Sequence, residues 1–150
     1  MVNVQQTEKL TSLYSEIEAN FEEMRDWRRH MHMHPELSFE EVKTAKYIEE
    51  KLRSFNLEVK TNVGGRNGLI GILKGANPGK TIALRADFDA LPIDDEKDVP
   101  YKSMNPGVMH ACGHDGHTAA LLGTAKVLSN YKQHINGTVI VIFQPAEEKP

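Results

Sequence analysis

The segment His110 to His117 (His-Ala-Cys-Gly-His-Asp-Gly-His) crowds more chemistry-bearing side chains together than any other part of this chain. Cys112 and His114 set a thiolate donor and an imidazole donor two positions apart in a glycine-broken loop, and His117 follows three residues later. Past an apolar stretch, Gln144-Pro145-Ala146-Glu147-Glu148 offers two adjacent carboxylates. Sulfur, nitrogen and oxygen from such groups form the ligand set of zinc and related divalent ions. A second carboxylate beside them is suited to accept a proton from an activated water. Type and spacing together point to a metal-dependent hydrolase.

Two acidic elements lie just past apolar runs. Asp87 and Asp89 follow Ile82 to Ala86, and Glu147 and Glu148 follow Val139 to Phe143. In open α/β sheets, reactive groups gather beyond the carboxyl ends of the strands, so both acidic elements are expected to meet Cys112 and His114 in one crevice. Pro145 cannot extend a ladder and releases the chain into a loop, which frees Glu147 and Glu148 from pleat alternation. Asp87 or Asp89 could then bind metal or accept the second N–H of a ligand histidine. Each feature has an ordinary reading when taken alone. A lone cysteine packs as a small apolar residue, a Glu-Glu pair is a solvated surface, and Asp-x-Asp after a strand is a turn. Their combination on loops flanking strands favours the site.

The other histidines read differently. His30, His32 and His34 alternate, but residues two apart do not share a helix face, so they read as structural or surface groups. His134 is expected to face solvent. His117 is left open between a contact near the metal and plain packing.

These groups need elements to hold them. Leu13, Ile17, Phe21, Met24 and Trp27 recur at helical spacing and predict one amphipathic helix over about residues 7–32, ended by Pro35. Ser38 followed by Glu41 is a capping-box pattern, with Val42, Ala45, Ile48, Leu52 and Phe55 as the inward stripe of a second helix. The period then becomes strand-like. Leu57 and Val59 alternate, Gly64-Gly65 makes a turn, Leu69 to Leu73 is a short apolar run, and residues 75–79 form a turn before Thr81 to Ala86. Segment 87–109 reads as irregular. A helix is predicted over about 117–129, with Ala120, Leu121, Ala125 and Leu128 inward. The continuously apolar Thr138 to Phe143 suggests a strand covered on both faces. The fold class implied is a layered α/β domain.

At 150 residues the size favours a single domain. Apolar residues at 39% and charged residues at 26% fit a globular protein. The net charge of -3, with interspersed signs, recommends neither nucleic acid nor an anionic membrane as a partner. The polar opening from Met1 has no apolar signal core, and no apolar run is long enough to span a bilayer. Without such a signal, the glycosylation sequon at Asn136 carries no weight. The single cysteine excludes an intrachain disulfide and fits a reducing compartment, so a cytoplasmic location is expected.

Four blocks then resemble a known family. They are Trp27 to Arg29 with His34 to Glu41, Ala83 to Ile93, Gly107 to His117, and Gly137 to Val139 with Gln144 to Glu148. They are similar to the metal-dependent amidohydrolases that include bacterial N-acyl-amino-acid hydrolases, hippurate hydrolases and plant indole-acetyl-amino-acid hydrolases. That family is grouped with the aminoacylase and carboxypeptidase metallopeptidases. The resemblance implies an α/β/α zinc-exopeptidase-like catalytic domain, of which residues 1–150 are the N-terminal part, with the inserted lid domain and the C-terminal part absent. It implies Cys112, His114 and Glu148 as metal ligands, Glu147 as general base, and Asp87 and Asp89 as supports of the metal site. It implies two divalent ions, zinc or manganese, in the complete enzyme, with further histidine ligands supplied beyond Glu148. The implied substrate is an N-acyl amino acid or small peptide, and the complete enzyme can be a homo-oligomer. An incomplete site is expected to bind metal weakly, giving this stretch little or no activity alone. The alternative is a non-catalytic metal- or partner-binding remnant.

Overall fold

A computed structural model describes residues 4–149, with side chains described from Thr11 onward; Met1 to Asn3 at the polar opening and Pro150 lie outside the described residues. Helices α1 (Val4–Ala19), α2 (Phe21–Met33) and α3 (Val42–Ser54) come first. Strands β1 (Glu58–Val63), β2 (Gly68–Lys74) and β3 (Asn77–Asp87) follow, then α4 (His114–Asn130), a short 3-10 turn and β4 (Asn136–Gln144). The strands form one sheet in the order β1-β2-β4-β3. β2 runs antiparallel to both β1 and β4, whereas β3 and β4 are parallel. The α/β class read from the sequence is the class of the fold.

The parallel pair is what positions the site. Its register sets Asp87 opposite Gln144, so both strands end at the same edge of the sheet. The acidic residues that follow each strand leave from that edge, and α4 starts there.

One core joins the layers. Trp27 and Met31 of α2, Ile48 and Leu52 of α3 and Leu122 and Ala125 of α4 pack with Leu69, Leu73, Ala86, Val141 and Phe143 of the sheet. Gly71 leaves room for the core, since a Cβ there would sit 2.8 Å from a Val141 methyl, 3.0 Å from one of Leu57 and 3.3 Å from one of Leu52 in α3. The strand residues of opposite parity, Ile70, Ile72, Ile140 and Ile142, are only half-buried and take no part in that core. β4 is therefore packed on one face by the described helices, not on both as its apolar run suggested.

Several local expectations are corrected. The first helix is two, broken at Asn20, whose side-chain amide donates to the Glu16 carbonyl at 2.7 Å. Such local side chain-to-backbone bonds compete with helix continuation. Past the break the stripe loses phase: Phe21 is 62% exposed. The capping box at Ser38 and Glu41 does not form; the carboxylate of Glu36 instead accepts the Lys43 and Thr44 amides at 3.2 and 2.7 Å. Val42 faces solvent, while Ile48, Leu52 and Phe55 are buried as expected. β3 begins at Asn77, inside the predicted turn, and the irregularity falls between Asn77 and Thr81. α4 begins at His114, Ala120 is exposed and Leu122 is fully buried.

Candidate metal centre

Gly113 makes the first decisive turn. It caps α4 in the left-handed region at φ 91, a conformation glycine adopts without Cβ strain. That turn leaves Cys112 just before the helix and His114 in its first turn. Both end up on the side where β3 and β4 terminate.

His114 is buried, and its orientation is fixed from one end. Its Nδ1 lies 3.0 Å from the Asp89 carbonyl and 3.1 Å from Asp89 Oδ1, two acceptors that place the ring proton on Nδ1. The lone pair of Nε2 is thereby left free. Around that nitrogen stand Asp87 Oδ1 at 3.7 Å, Glu148 Oε1 at 3.8 Å and Glu147 Oε2 at 3.9 Å. Donor atoms of Cys112, His114 and Glu148 all lie within 4.8 Å of one another, and so do those of Asp87, His114 and His117. Four ligands at 2.0–2.3 Å in a tetrahedron stand about 3.3–3.8 Å apart, so the spacing suits one common ion after small rotations.

The electrostatics lean the same way. Asp87, Glu147 and Glu148 surround one imidazole, and Arg85 pairs with the other oxygen of Asp87 at 3.0 Å. Burial pushes the Cys112 thiol above its ordinary range, and its hydrogen bond with Glu148 and the charges of Glu148, Asp87 and Glu147 push it further. Thiolate is disfavoured there until a cation enters. The surplus of negative charge is what a divalent ion would neutralise.

The supporting acids are themselves held ionised. Burial pushes Asp89 up, but hydrogen bonds from the Ser38 hydroxyl and the Glu148 amide outweigh it and hold the carboxyl below its ordinary value. Burial likewise opposes ionisation of Asp87, and the hydrogen bond to His117 at 2.7 Å with the charges of His114 and Arg85 overcomes it. His117, left open by the sequence, is thus a partner of Asp87 at the helix start. Asp87 and Asp89 both lie against His114, one near each ring nitrogen.

Two features were not read from the sequence as part of the site. Ser38 and Glu41 reach into the site region instead of capping α3: Ser38 donates to Asp89 at 2.7 Å, and Glu41 accepts the Ala146 amide at 2.8 Å. The second is a buried network behind the metal loop. His32 Nδ1 lies 2.7 Å from Asp115 and its Nε2 lies 3.3 Å from Asp95, which gives His32 the structural role expected of it. His30, in contrast, is exposed and stacks on Tyr47. His110 is buried with neither ring nitrogen partnered among the described residues. The signal for these was limited to residue type, since their partners lie far away in the chain.

The chain is also similar to known proteins. Residues 83–150 match the family described as Peptidase family M20/M25/M40. The chain is 54% identical over 127 residues to an N-acyl-L-amino acid amidohydrolase of Geobacillus stearothermophilus, an alignment covering 81% of this chain and 33% of that protein. It is 47% identical over 133 residues to a hippurate hydrolase of Campylobacter jejuni, covering 89% of this chain and 33% of that protein. A solved Bacillus subtilis structure, described as a dinuclear metal-binding peptidase from the M20 family, superposes with a TM-score of 0.83 at 45% identity, over 87% of this chain and 36% of that one. The chain therefore spans about a third of the length of the curated relatives it matches.

Proposed function

Since this chain belongs to peptidase family M20/M25/M40, we propose that it carries part of the catalytic centre of a metal-dependent amidohydrolase acting on N-acyl amino acids or small peptides. The observation that carries the reading is the convergence of Cys112, His114 and Glu148 donor atoms, with Glu147 at 3.9 Å from the same nitrogen.

Cys112, His114 and Glu148 would hold a divalent ion. Thiolate favours zinc, while the nitrogen and oxygen donors also admit manganese. When bound, such an ion polarises a carbonyl and lowers the pKa of water from about 15.7 toward about 7. The remaining chemistry belongs to the chain. Glu147 is 39% exposed on its side chain, so it can meet a substrate while staying beside the metal ligands. Its carboxylate takes the proton of the attacking water and returns it to the departing nitrogen, which avoids expelling an amide anion. Asp89 keeps the His114 proton on Nδ1, and Asp87 balances charge beside Nε2. The relatives are about three times as long, so further metal ligands, substrate pockets and any oligomer contacts are assigned to the rest of a full-length protein. A second ion is proposed on the model of the dinuclear relative. Cytoplasmic residence is proposed from the single, free Cys112. No helix of the described residues is long and apolar enough to cross a membrane.

The test uses the full-length protein that carries residues 1–150, loaded with zinc or manganese. It should release free amino acids from N-acetyl and N-benzoyl amino acids, and Glu147→Gln should abolish release while metal content is unchanged. A metal-loaded protein inert on a broad panel of acyl amino acids and dipeptides would refute the assignment.

A further inference from the structure

We infer that Glu41 is a positioning residue for the turn that carries Glu147 and Glu148, an inference that rests on the metal-centre reading above. Glu41 is 0% exposed, and among the described residues it has no ion-pair partner. Its Oε1 accepts the Ala146 amide at 2.8 Å, and its Oε2 accepts the Asn67 side-chain amide at 3.1 Å. A carboxylate is a costly group to bury without a cation, and the N-cap position before α3 would be served by a neutral Ser or Asn. Glu41 does not cap that helix. What it does instead is span from the start of α3 to the end of β4.

The residue it holds is unusual. Ala146 has φ 51, a left-handed conformation that a Cβ-bearing residue adopts only where its surroundings hold it. Pro145 precedes it and cannot donate, so the Ala146 amide is the first donor of the turn. Two positions on, the Glu148 amide donates to Asp89 at 3.1 Å. The turn is therefore held at two amides by two buried carboxylates, and Glu147 stands between them. Both holds trace back to one short segment: Ser38 donates to Asp89 at 2.7 Å, and Glu41 lies three residues later. Segment 38–41 thus fixes where the last strand hands its two glutamates to the site.

Reach and charge are separable in Glu41. Gln keeps the reach and the acceptor for the Ala146 amide, and a flipped Asn67 amide can meet its NH2. Asp keeps the charge but is one methylene short. A positioning role predicts that Glu41→Gln preserves function while Glu41→Asp and Glu41→Ala lose it.

The experiment uses the full-length protein that carries residues 1–150, with cobalt(II) as the probe and the thiolate-to-cobalt absorption from Cys112 reporting ligation. Glu41→Gln should bind with near wild-type affinity. Glu41→Asp and Glu41→Ala should keep the thiolate band but bind roughly 10- to 100-fold more weakly, because the Glu148 ligand is no longer held. Hydrogen exchange on the metal-free chain gives a second readout: the Ala146 amide should be protected in wild type and Glu41→Gln and unprotected in Glu41→Asp. If Glu41→Asp binds cobalt as wild type does, or if Glu41→Gln loses as much as Glu41→Asp, reach is not what matters and the inference falls. A merely structural role would lower the melting temperature of the variants while leaving the cobalt affinity of the folded chain unchanged, and that too would overturn it. Absence of a thiolate band in wild type would refute the metal-centre reading and this inference with it. Should Glu41→Ala fail to fold, the Asp and Gln pair decides the question.

Discussion

Replacing Asp89 with Asn should weaken metal binding by roughly 10- to 100-fold and leave the chain folded. Asp89 is 1% exposed and accepts three hydrogen bonds at once. Oδ2 takes the Ser38 hydroxyl at 2.7 Å and the Glu148 amide at 3.1 Å, and Oδ1 takes His114 Nδ1–H at 3.1 Å. An amide has one acceptor oxygen to offer. If that oxygen stays with Ser38 and Glu148, its NH2 confronts His114 Nδ1–H and drives the ring toward the tautomer protonated on Nε2, the nitrogen a metal needs. If the amide turns over, Ser38 and the Glu148 amide lose their acceptor and the glutamate turn is loosened. Either way at least one buried donor is unmet, at about 1–3 kcal/mol each, and a single loss converts to roughly 5- to 150-fold in affinity. The Asp89 backbone carbonyl, 3.0 Å from Nδ1, opposes the tautomer change and keeps the loss short of abolition. Cobalt titration with zinc competition measures it, and circular dichroism verifies the fold. A folded Asp89→Asn chain with affinity within about twofold of wild type would refute the tautomer argument. The acid side gives an independent check. Because the folded pKa of Asp89 is lowered, its contribution to stability is present above its unfolded value and is lost as pH falls through the folded one. The variant should lack that component, so its stability should depend less on pH below about 4.

Two further outcomes concern stability. Burial holds His110 neutral, lowering its pKa from 6.5 to about 4, so between those values the unfolded chain binds the proton that the folded chain refuses. Its contribution is whole above the unfolded value and is lost as pH falls toward about 4, by at most roughly 3 kcal/mol. Urea midpoints at pH 7 and pH 4.5 should therefore diverge more for wild type than for His110→Leu, and parallel shifts would count against it. Leu122→Ala, at a fully buried position where α4 meets the core, should cost about 2–5 kcal/mol in urea unfolding. A loss below about 1 kcal/mol would mean that the helix does not pack as described.

What was legible in the sequence follows from the range of each signal. Ile48, Leu52 and Phe55 could be assigned inward because a helix repeats locally and its stripe faces the sheet. The same periodicity ran through Asn20, because a side-chain bond to the Glu16 carbonyl leaves the apolar spacing intact while it breaks the helix. Ala120 was placed inward and Leu122 passed over because α4 is apolar around much of its surface, so the phase is set by what it packs against, Met24 of α2 among them. Cys112, His114, Glu147 and Glu148 could be grouped because each lies where an element starts or stops, and the parallel register of β3 with β4 brings those ends together. Ser38 and Glu41 could not. Their spacing matches a bond within a helix turn, whereas their partners lie 51 and 105 positions away.

The same contrast explains how the centre is built. Of the groups proposed to touch metal or substrate, all but the buried His114 stand at the mouth: Cys112 is exposed, and Glu147 and Glu148 are 39% and 27% exposed on their side chains. The groups that aim them are almost wholly withdrawn from solvent, with Glu41 at 0%, Asp89 at 1% and Ser38 at 5%. Burial strengthens each hydrogen bond to these carboxylates, because no water competes for the acceptor. It also makes each bond costly to lose, so the turn at Ala146 is held in one conformation by its surroundings and not by its own preference. A mouth of mutually repelling carboxylates would otherwise spread apart. The buried layer keeps Asp87, Glu147 and Glu148 within 4 Å of one nitrogen, and precision at the exposed centre is set by residues that never reach the surface.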